Sequence, residues 1–399
     1  MITIDEHLRR ILDAAAPLPT EDRVLAGALG AVLAADVHTR WPVPLFDNSA
    51  MDGYAVRRAD AVAGAVLRIV GDVPAGSAED PRFGPGEAVR IMTGAPVPSD
   101  ADAIVPLEHT DLGTEVRERA PETITVLTEP AAGAHIRLRA EDADAGALAV
   151  AAGATLGPWQ LSSIASAGHE RVRVYRTPRV AIVSTGSELI RPGGTPSRGQ
   201  IPESNSVLLA AAVRREGAIV TAVHTVSDDP GALRVVLDEL DADVVILSGG
   251  ASVGAFDVVK AVLGGERGVR FDAVAMQPGK PQGFGVHDDM LVFCLPGNPV
   301  SVAVSFEMFV RPALRTMAGF AQIDRPRVLR TAGTSWRCPP GRVQVLPAVL
   351  DESTVWPAAA GGSGSHLVSS LAAATALAII PADVDEVHEG DPVTVMVLS

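Results

Sequence analysis

The spacing of apolar and polar residues changes character several times along the chain. Residues 4–16 place Leu8, Ile11 and Leu12 on one helical face, with Pro17 and Pro19 to end it. Residues 21–34 read as a second helix. Residues 67–126 form short apolar runs broken by turn residues, which predicts a small β domain, and 159–167 return to helical spacing. From Arg179 strand-like and helical runs alternate: RVAIVS, a helix over 205–216, AIVTAVHTV, a helix over 230–240, DVVIL, a helical run over 258–263, VRFDAVA, MLVFCL and a long helix over 299–317. That alternation predicts βαβ crossovers and a parallel, three-layer sheet whose carboxyl edge carries ligand loops. After Arg325-Pro326, alternating runs at 343–350 and 393–398 without a long helix predict a small β-barrel.

The strand ends are where chemistry is expected. The run VVIL (244–247) breaks into Ser248, Gly249 and Gly250, followed by Ser252, Gly254, Asp257 and Lys260. Adjacent glycines at a strand end allow positive φ and close approach of a phosphate to backbone N–H groups. A second glycine turn, QPGKPQGFG (277–285), holds Gly279 and Lys280, and a third, LPGNPVS (295–301), holds Pro296, Gly297, Asn298 and Ser301. Each alone reads equally as loop punctuation. Lysine placement favours chemistry: of 33 Lys and Arg residues only Lys260 and Lys280 are lysine, and both fall in these stretches. A compact ammonium suits a phosphate or small oxyanion. Asn298 before Pro299 reads as an N-cap aiming a helix dipole at the same rim. The loop STGSEL (184–189) brings Thr185, Gly186 and Glu188, and the next loop Asp228 and Asp229. Glu188, Asp228 and Asp257 at successive strand ends suggest Mg²⁺ bridging to phosphate oxygens, with helix caps and turns as the plainer alternative.

Elsewhere the polar motifs stay open. Asp52 in DNSAMDGYAV reads as a turn former or a site residue, and Thr93-Gly94 as an exposed turn. Arg137, Arg139, Glu141 and Asp142 read as a surface ion-pair cluster. AGGSGSHL (360–367), with Ser365, is an anion loop or a flexible turn.

Composition narrows the class. The 399 residues are 47% hydrophobic and 20% charged, hence globular and multi-domain, and the net charge of −15 argues against a nucleic-acid partner while leaving room for a small anion in a local basic pocket. Cys294 and Cys338 are the two cysteines, without zinc spacing, and Cys294 inside MLVFCL reads as a buried, inert thiol. The N-terminus is unlike a signal peptide and the longest apolar window, 367–380, is too short to span a bilayer, so no membrane association and a cytoplasmic location are expected.

DNSAMDGYAV, RIMTGAPVPSDADAIVPLE, the run around Arg137 and Asp142, STGSEL, Asp228-Asp229, SGGASVGAFD, QPGKPQGFG and LPGNPVS together resemble the MoeA family of molybdopterin molybdenumtransferases, which includes the gephyrin E domain. The resemblance implies four domains: an elongated helical one over 1–48 and 142–176 that dimerises, an inserted β domain over 49–141, a three-layer α/β molybdopterin-binding (MogA-like) domain over 177–324, and a C-terminal β-barrel over 325–399. It implies a homodimer with a shared cleft, and a Mg²⁺-dependent reaction of adenylylated molybdopterin and molybdate giving molybdenum cofactor and AMP. Transient contacts with other proteins of that biosynthesis are also implied. Glu188, Asp228 and Asp257 then resemble the metal group. Asp52, Thr93, Arg137 and Asp142 resemble a face contributed across the dimer, and Lys280, Ser301, Arg342 and Ser365 the molybdate pocket. Ser248, Gly249, Gly250 and the PGNP loop resemble the pterin phosphate seat, and Thr185, Gly186, Ser252, Gly254 and Gly279 are further expected cofactor-binding positions.

Gln277 stands where many members have lysine, which removes one attraction for molybdate, and the serine of TGSEL is often aspartate in relatives. Adenylylation of molybdopterin by ATP and a non-catalytic, gephyrin-like scaffold are the competing readings. Retained acids and lysines at the rim count against the scaffold.

Overall fold

The computed structural model describes residues 1–114, 118–249, 258–264, 268–359, 364 and 367–398. Contacts divide the chain into two compact units: Met1–Arg23, Gly30–Ala34 and Arg173–Ser399 form one, Val24–Leu29 and Ala35–Val172 the other.

In the first unit the helix Ile4–Ala14 begins with a capping box, Glu6 N donating to Thr3 Oγ1 (3.1 Å) and Thr3 N to Glu6 Oε2 (2.8 Å). It buries Ile11 and His7. The helix expected over 21–34 does not form. The strand Thr20–Val24 is followed by a single 3₁₀ turn, Leu25–Gly27, and Gly30 sits at φ 78°, a left-handed value that ends any helix. The glycines at 27 and 30 already cost a helix about 1 kcal/mol each, so the backbone follows its neighbours instead.

The centre of this unit is a six-stranded sheet in the order Ile219–Val226, Arg179–Thr185, Val244–Ser248, Met290–Leu295, Pro281–His287, Arg270–Ala273. The first four strands run parallel. The last two add antiparallel ladders, so the sheet is mixed, whereas an all-parallel sheet was expected. The second half of QPGKPQGFG is therefore the strand Pro281–His287 and not a turn.

Strand residues alternate between faces. Val180, Ile182, Val244 and Ile246 pack with Ile11, Leu209, Val213, Phe306 and Phe309, from the helices Ile4–Ala14 and Asn205–Arg215 and the segment 299–317. Ala181, Val183, Val245 and Leu247 pack with Leu233, Leu237, Val259 and Val262, from Pro230–Asp238 and Val258–Leu263. Period-2 strands with both faces apolar give three layers, and each fully buried Val, Ile or Leu contributes roughly 1.5–3 kcal/mol. Cys294 lies in the second of these cores with no exposure, as an inert thiol should.

Toward the C-terminus, the strands Val343–Leu350, Thr354–Pro357, Arg327–Ala332, Pro392–Val397 and Ala376–Ile380 pair in sequence, and the last closes back on the first. This is the expected β-barrel, filled by Trp336, Leu346, Val355, Ile380 and Val395. The short strand Met276–Gln277 pairs in parallel with its first strand, Met276 opposite Val343 and Gln277 opposite Gln344.

The second unit is built on a five-stranded sheet in the order Ala103–Pro106, Gly53–Val56, Glu87–Ile91, Val66–Val73, Thr123–Thr125, with Tyr54, Leu67, Val105 and Ile124 in its core. The helix Pro158–Ser166 lies where helical spacing predicted it.

Candidate functional site

Among the parallel strands, the second and third in chain order lie on opposite sides of the first, Arg179–Thr185. The order in which strands are added therefore reverses between Arg179–Thr185 and Val244–Ser248, and loops leaving the carboxyl ends of such a parallel pair open a crevice. A cleft of about 1130 Å³ lies there. Its lining includes Thr185, Gly186, Glu188, Asp228, Ser248, Gly249, Gly279, Lys280, Pro296, Gly297, Asn298, Ser301 and Arg342, so loops far apart in sequence meet in one concavity. Gly250, Ser252, Gly254, Asp257 and Ser365 lie outside the described residues.

Glycine is required where these loops touch. Gly249 has φ 93°, and a β-carbon there would stand 2.4 Å from the carbonyl oxygen of Thr185 and 3.0 Å from its hydroxyl. Lys280 is exposed at the tip of a turn whose base is braced by Gln282, 1% exposed, which donates through Nε2 to Gly279 O and to Ser305 Oγ, both 2.7 Å. Arg342 arrives from the barrel, carried beside this turn by the pairing of Val343 with Met276.

The two aspartates after Val226 divide their work. Asp228 Oδ2 accepts from Ser187 N (2.9 Å) and Asp228 N donates to Ser187 Oγ (3.1 Å), which ties the two loops together and leaves an exposed carboxylate on the cleft. Asp229 caps the helix Pro230–Asp238, its Oδ1 accepting from Gly231 N (2.9 Å). Glu188 is exposed beside Gly186, and a β-carbon on that glycine would meet its carboxylate at 2.7 Å.

Three expectations need correction. Lys260 lies on the helix Val258–Leu263 and does not line the cleft. Asn298 occupies the N-cap position but makes no side-chain capping bond; it lines the cleft instead. The charged run 137–142 is not an ion-pair cluster among the described residues. Its Glu141 Oε2 accepts from Leu138 N (2.9 Å), closing a turn.

The second unit holds the other expected residues. Asp52 Oδ1 accepts from Thr93 N (2.6 Å) and Thr93 Oγ1 (2.7 Å), and the backbone donor first, then the hydroxyl, holds this carboxyl below the usual range. Arg137 pairs in a short antiparallel ladder with Asn48 and is exposed. Asp142 N donates to Val43 O (3.0 Å), leaving its exposed carboxylate turned to solvent.

Sequence reasoning missed Glu203 and Asn205, which also line the cleft. The small ladder of Leu189–Ile190 with Ile201–Pro202 returns the chain there. Glu203 is 4% exposed, and its Oε1 accepts from Ser184 Oγ (3.0 Å) and Ser206 N (2.9 Å) while Oε2 accepts from Ser206 Oγ. Asn205 Nδ2 donates to Gly297 O (2.7 Å), binding the third loop to the start of its helix. The signal was present in the polar run Glu203-Ser204-Asn205, but it reads as a helix start.

Family models match nearly the whole chain: MoeA N-terminal region (domain I and II) over residues 2–168, probable molybdopterin binding domain over 181–316, and MoeA C-terminal region (domain IV) over 330–398. The chain belongs to the MoeA family. It is 41% identical to molybdopterin molybdenumtransferase 2 of Mycobacterium tuberculosis, covering 98% of each chain, and 36% identical to molybdopterin molybdenumtransferase 1 of the same organism, covering 100% of this chain and 99% of that one. The crystal structure of a molybdopterin biosynthesis MoeA protein from Pyrococcus horikosii superposes with a TM-score of 0.82 at 30% identity, covering 100% of this chain and 99% of that chain. A MoeA fold thus places the cleft in the region matched to the molybdopterin-binding domain, with Arg342 added from the C-terminal region.

Proposed function

We propose that this MoeA-family chain is a molybdopterin molybdenumtransferase that inserts molybdate into adenylylated molybdopterin to give molybdenum cofactor and AMP. The observation that carries this reading is the gathering of Glu188, Asp228, Lys280, Ser301 and Arg342 around one cleft at the sheet's switch point. Molybdate is a dianion that must approach a substrate already carrying a pyrophosphate. Lys280 and Arg342 offset that repulsion, and Ser301 lines the same cleft from the start of a helix.

The donor chemistry fits Mg²⁺. Glu188 and Asp228 are exposed carboxylates on the cleft, engaged by no Lys or Arg among the described residues, and hard oxygen donors suit this ion. They would hold it with Asp257, which lies outside the described residues. Bound Mg²⁺ would polarise the phosphoanhydride. The protein's own contribution is to hold the anhydride and the oxyanion in one cleft and to screen their charge.

We assign Asp52, Thr93, Arg137 and Asp142 to the face that one subunit of a homodimer lends to its partner's cleft, and retain the four-domain division with boundaries at 48/49, 141/142, 176/177 and 324/325. We place the protein in the cytoplasm; no helix among the described residues is long and apolar enough to cross a membrane. Incubation with adenylylated molybdopterin, Mg²⁺ and molybdate should release AMP in step with active cofactor. AMP release that ignores molybdate would overturn the assignment.

A further inference from the structure

The floor of the cleft is a chain of hydroxyls with a direction. Ser184 Oγ lies 3.0 Å from Glu203 Oε1 and 3.1 Å from Ser248 Oγ, and both serines are buried. A carboxylate only accepts, so the Ser184 proton goes to Glu203. Ser184 can then only accept from Ser248, and the Ser248 proton is consumed as well. Ser248 lines the cleft and has lone pairs alone to offer it.

Its neighbours have the same polarity. Asn205 gives an N–H to Gly297 O (2.7 Å), which fixes the amide's orientation and leaves Oδ1 buried with no hydrogen-bond partner. Glu203 Oε2 has one bonded donor, Ser206 Oγ, and so keeps an acceptor position. An orphaned buried acceptor is costly and rare, and the Asn205 oxygen belongs to a residue lining the cleft, where a ligand's donor can complete its bonding.

Ionised phosphate oxygens are acceptors too, and a floor of lone pairs repels them. We infer that the floor formed by Ser248, Asn205 and Glu203 seats a hydrogen-bond-donating heterocycle edge, the ring N–H and exocyclic amine of the substrate's pterin, and not its phosphate. This rests on the molybdopterin reading of the cleft and reverses the expectation that Ser248 belongs to a phosphate seat. The phosphates then face the rim, where Lys280 and Arg342 supply charge.

The test uses 6-hydroxymethylpterin, which lacks phosphate, and inorganic pyrophosphate as separate probes on the full chain, the pterin followed by its fluorescence. Wild type should bind both. Ser248→Ala removes an acceptor and should weaken the pterin about tenfold while leaving pyrophosphate within twofold. Glu203→Gln replaces an acceptor oxygen with an amide N–H, which lets the hydroxyl chain reverse and frees the Ser248 proton. It should weaken the pterin and strengthen pyrophosphate. If Glu203→Gln does not fold, Ser248→Ala decides. Absence of pterin binding by wild type, unchanged pterin affinity in Ser248→Ala, or parallel loss of pyrophosphate overturns the inference. Molybdate-dependent AMP release by the same wild-type preparation is read independently, so a failed reaction with pterin binding intact removes the proposed activity and leaves the seat.

Discussion

Gly297 and Gly249 face each other backbone to backbone: a β-carbon on Gly297 would stand 3.3 Å from the α-carbon of Gly249. The two positions should nevertheless differ in tolerance. Gly249→Ala adds a methyl 2.4 Å from a fixed carbonyl at φ 93° and should destabilise the fold by about 2 kcal/mol or more, with loss of ligand binding. Gly297→Ala requires a shift of a few tenths of an ångström and should cost under about 1.5 kcal/mol. Urea denaturation of both variants measures the difference, and equal costs would contradict the packing described.

Asp228 and Asp229 give a sharper contrast because they are adjacent. Asp229→Ala removes a helix cap and should lower stability by about 0.5–2 kcal/mol. Asp228→Ala should instead cut AMP release by about 10²-fold with a smaller change in unfolding midpoint. Calorimetry and turnover on the same two proteins separate the roles.

Lys280→Ala should lower kcat/KM for molybdate by about 10²-fold, because it removes a cation from a cleft that must accept a dianion. Lys280→Arg keeps the charge but replaces a compact ammonium with a planar fork, so partial recovery is expected. Full activity in Lys280→Ala would exclude the residue from the oxyanion site.

His7, which does not line the cleft, provides a pH signature. It is 2% exposed, its ring meets Phe309 edge-on at 4.8 Å, and burial pushes its pKa down to about 4 against the opposing pull of Asp272, with Arg10 adding to the fall. The folded-state value lies below the unfolded value, so the unfolded chain binds the extra proton between them. Stability contributed by neutral His7 is complete above about pH 6.5 and is lost as pH falls toward 4, on the order of 3 kcal/mol in all. His7→Leu should flatten that part of the stability profile, and an unchanged slope would show that His7 titrates normally.

The three-layer architecture was legible because VVIL and RVAIVS are apolar on both faces and are separated by helical spacing. The antiparallel edge was not. Gly283 and Gly285 look like turn residues, yet a β-carbon on Gly283 would be 2.8 Å from Cys294 Cβ and one on Gly285 2.4 Å from Gly268 O. They are glycine because a strand passes too close to its neighbours for anything larger, and spacing rules do not register such proximity. The strand-end loops carrying Lys280 and Asp228 were found from local motif chemistry. Glu203 and Asn205 were not, since the role of Glu203 depends on Ser184 and Ser248, which reach it through the parallel ladder.

The short segment leading to Lys280 is held from two distant parts of the chain. Ile2 bonds across Ala273 and Ala275 through N→O (2.9 Å) and O←N (2.8 Å) contacts, and Val343 N reaches Ala275 O (3.0 Å). The cation-bearing turn thus takes its scaffold from Ile2, which precedes it in sequence, and from Val343, which follows it. The barrel supplies both Arg342 and one of the contacts that fix the Lys280 turn, so loosening the barrel would disturb the charge of the cleft and its geometry together.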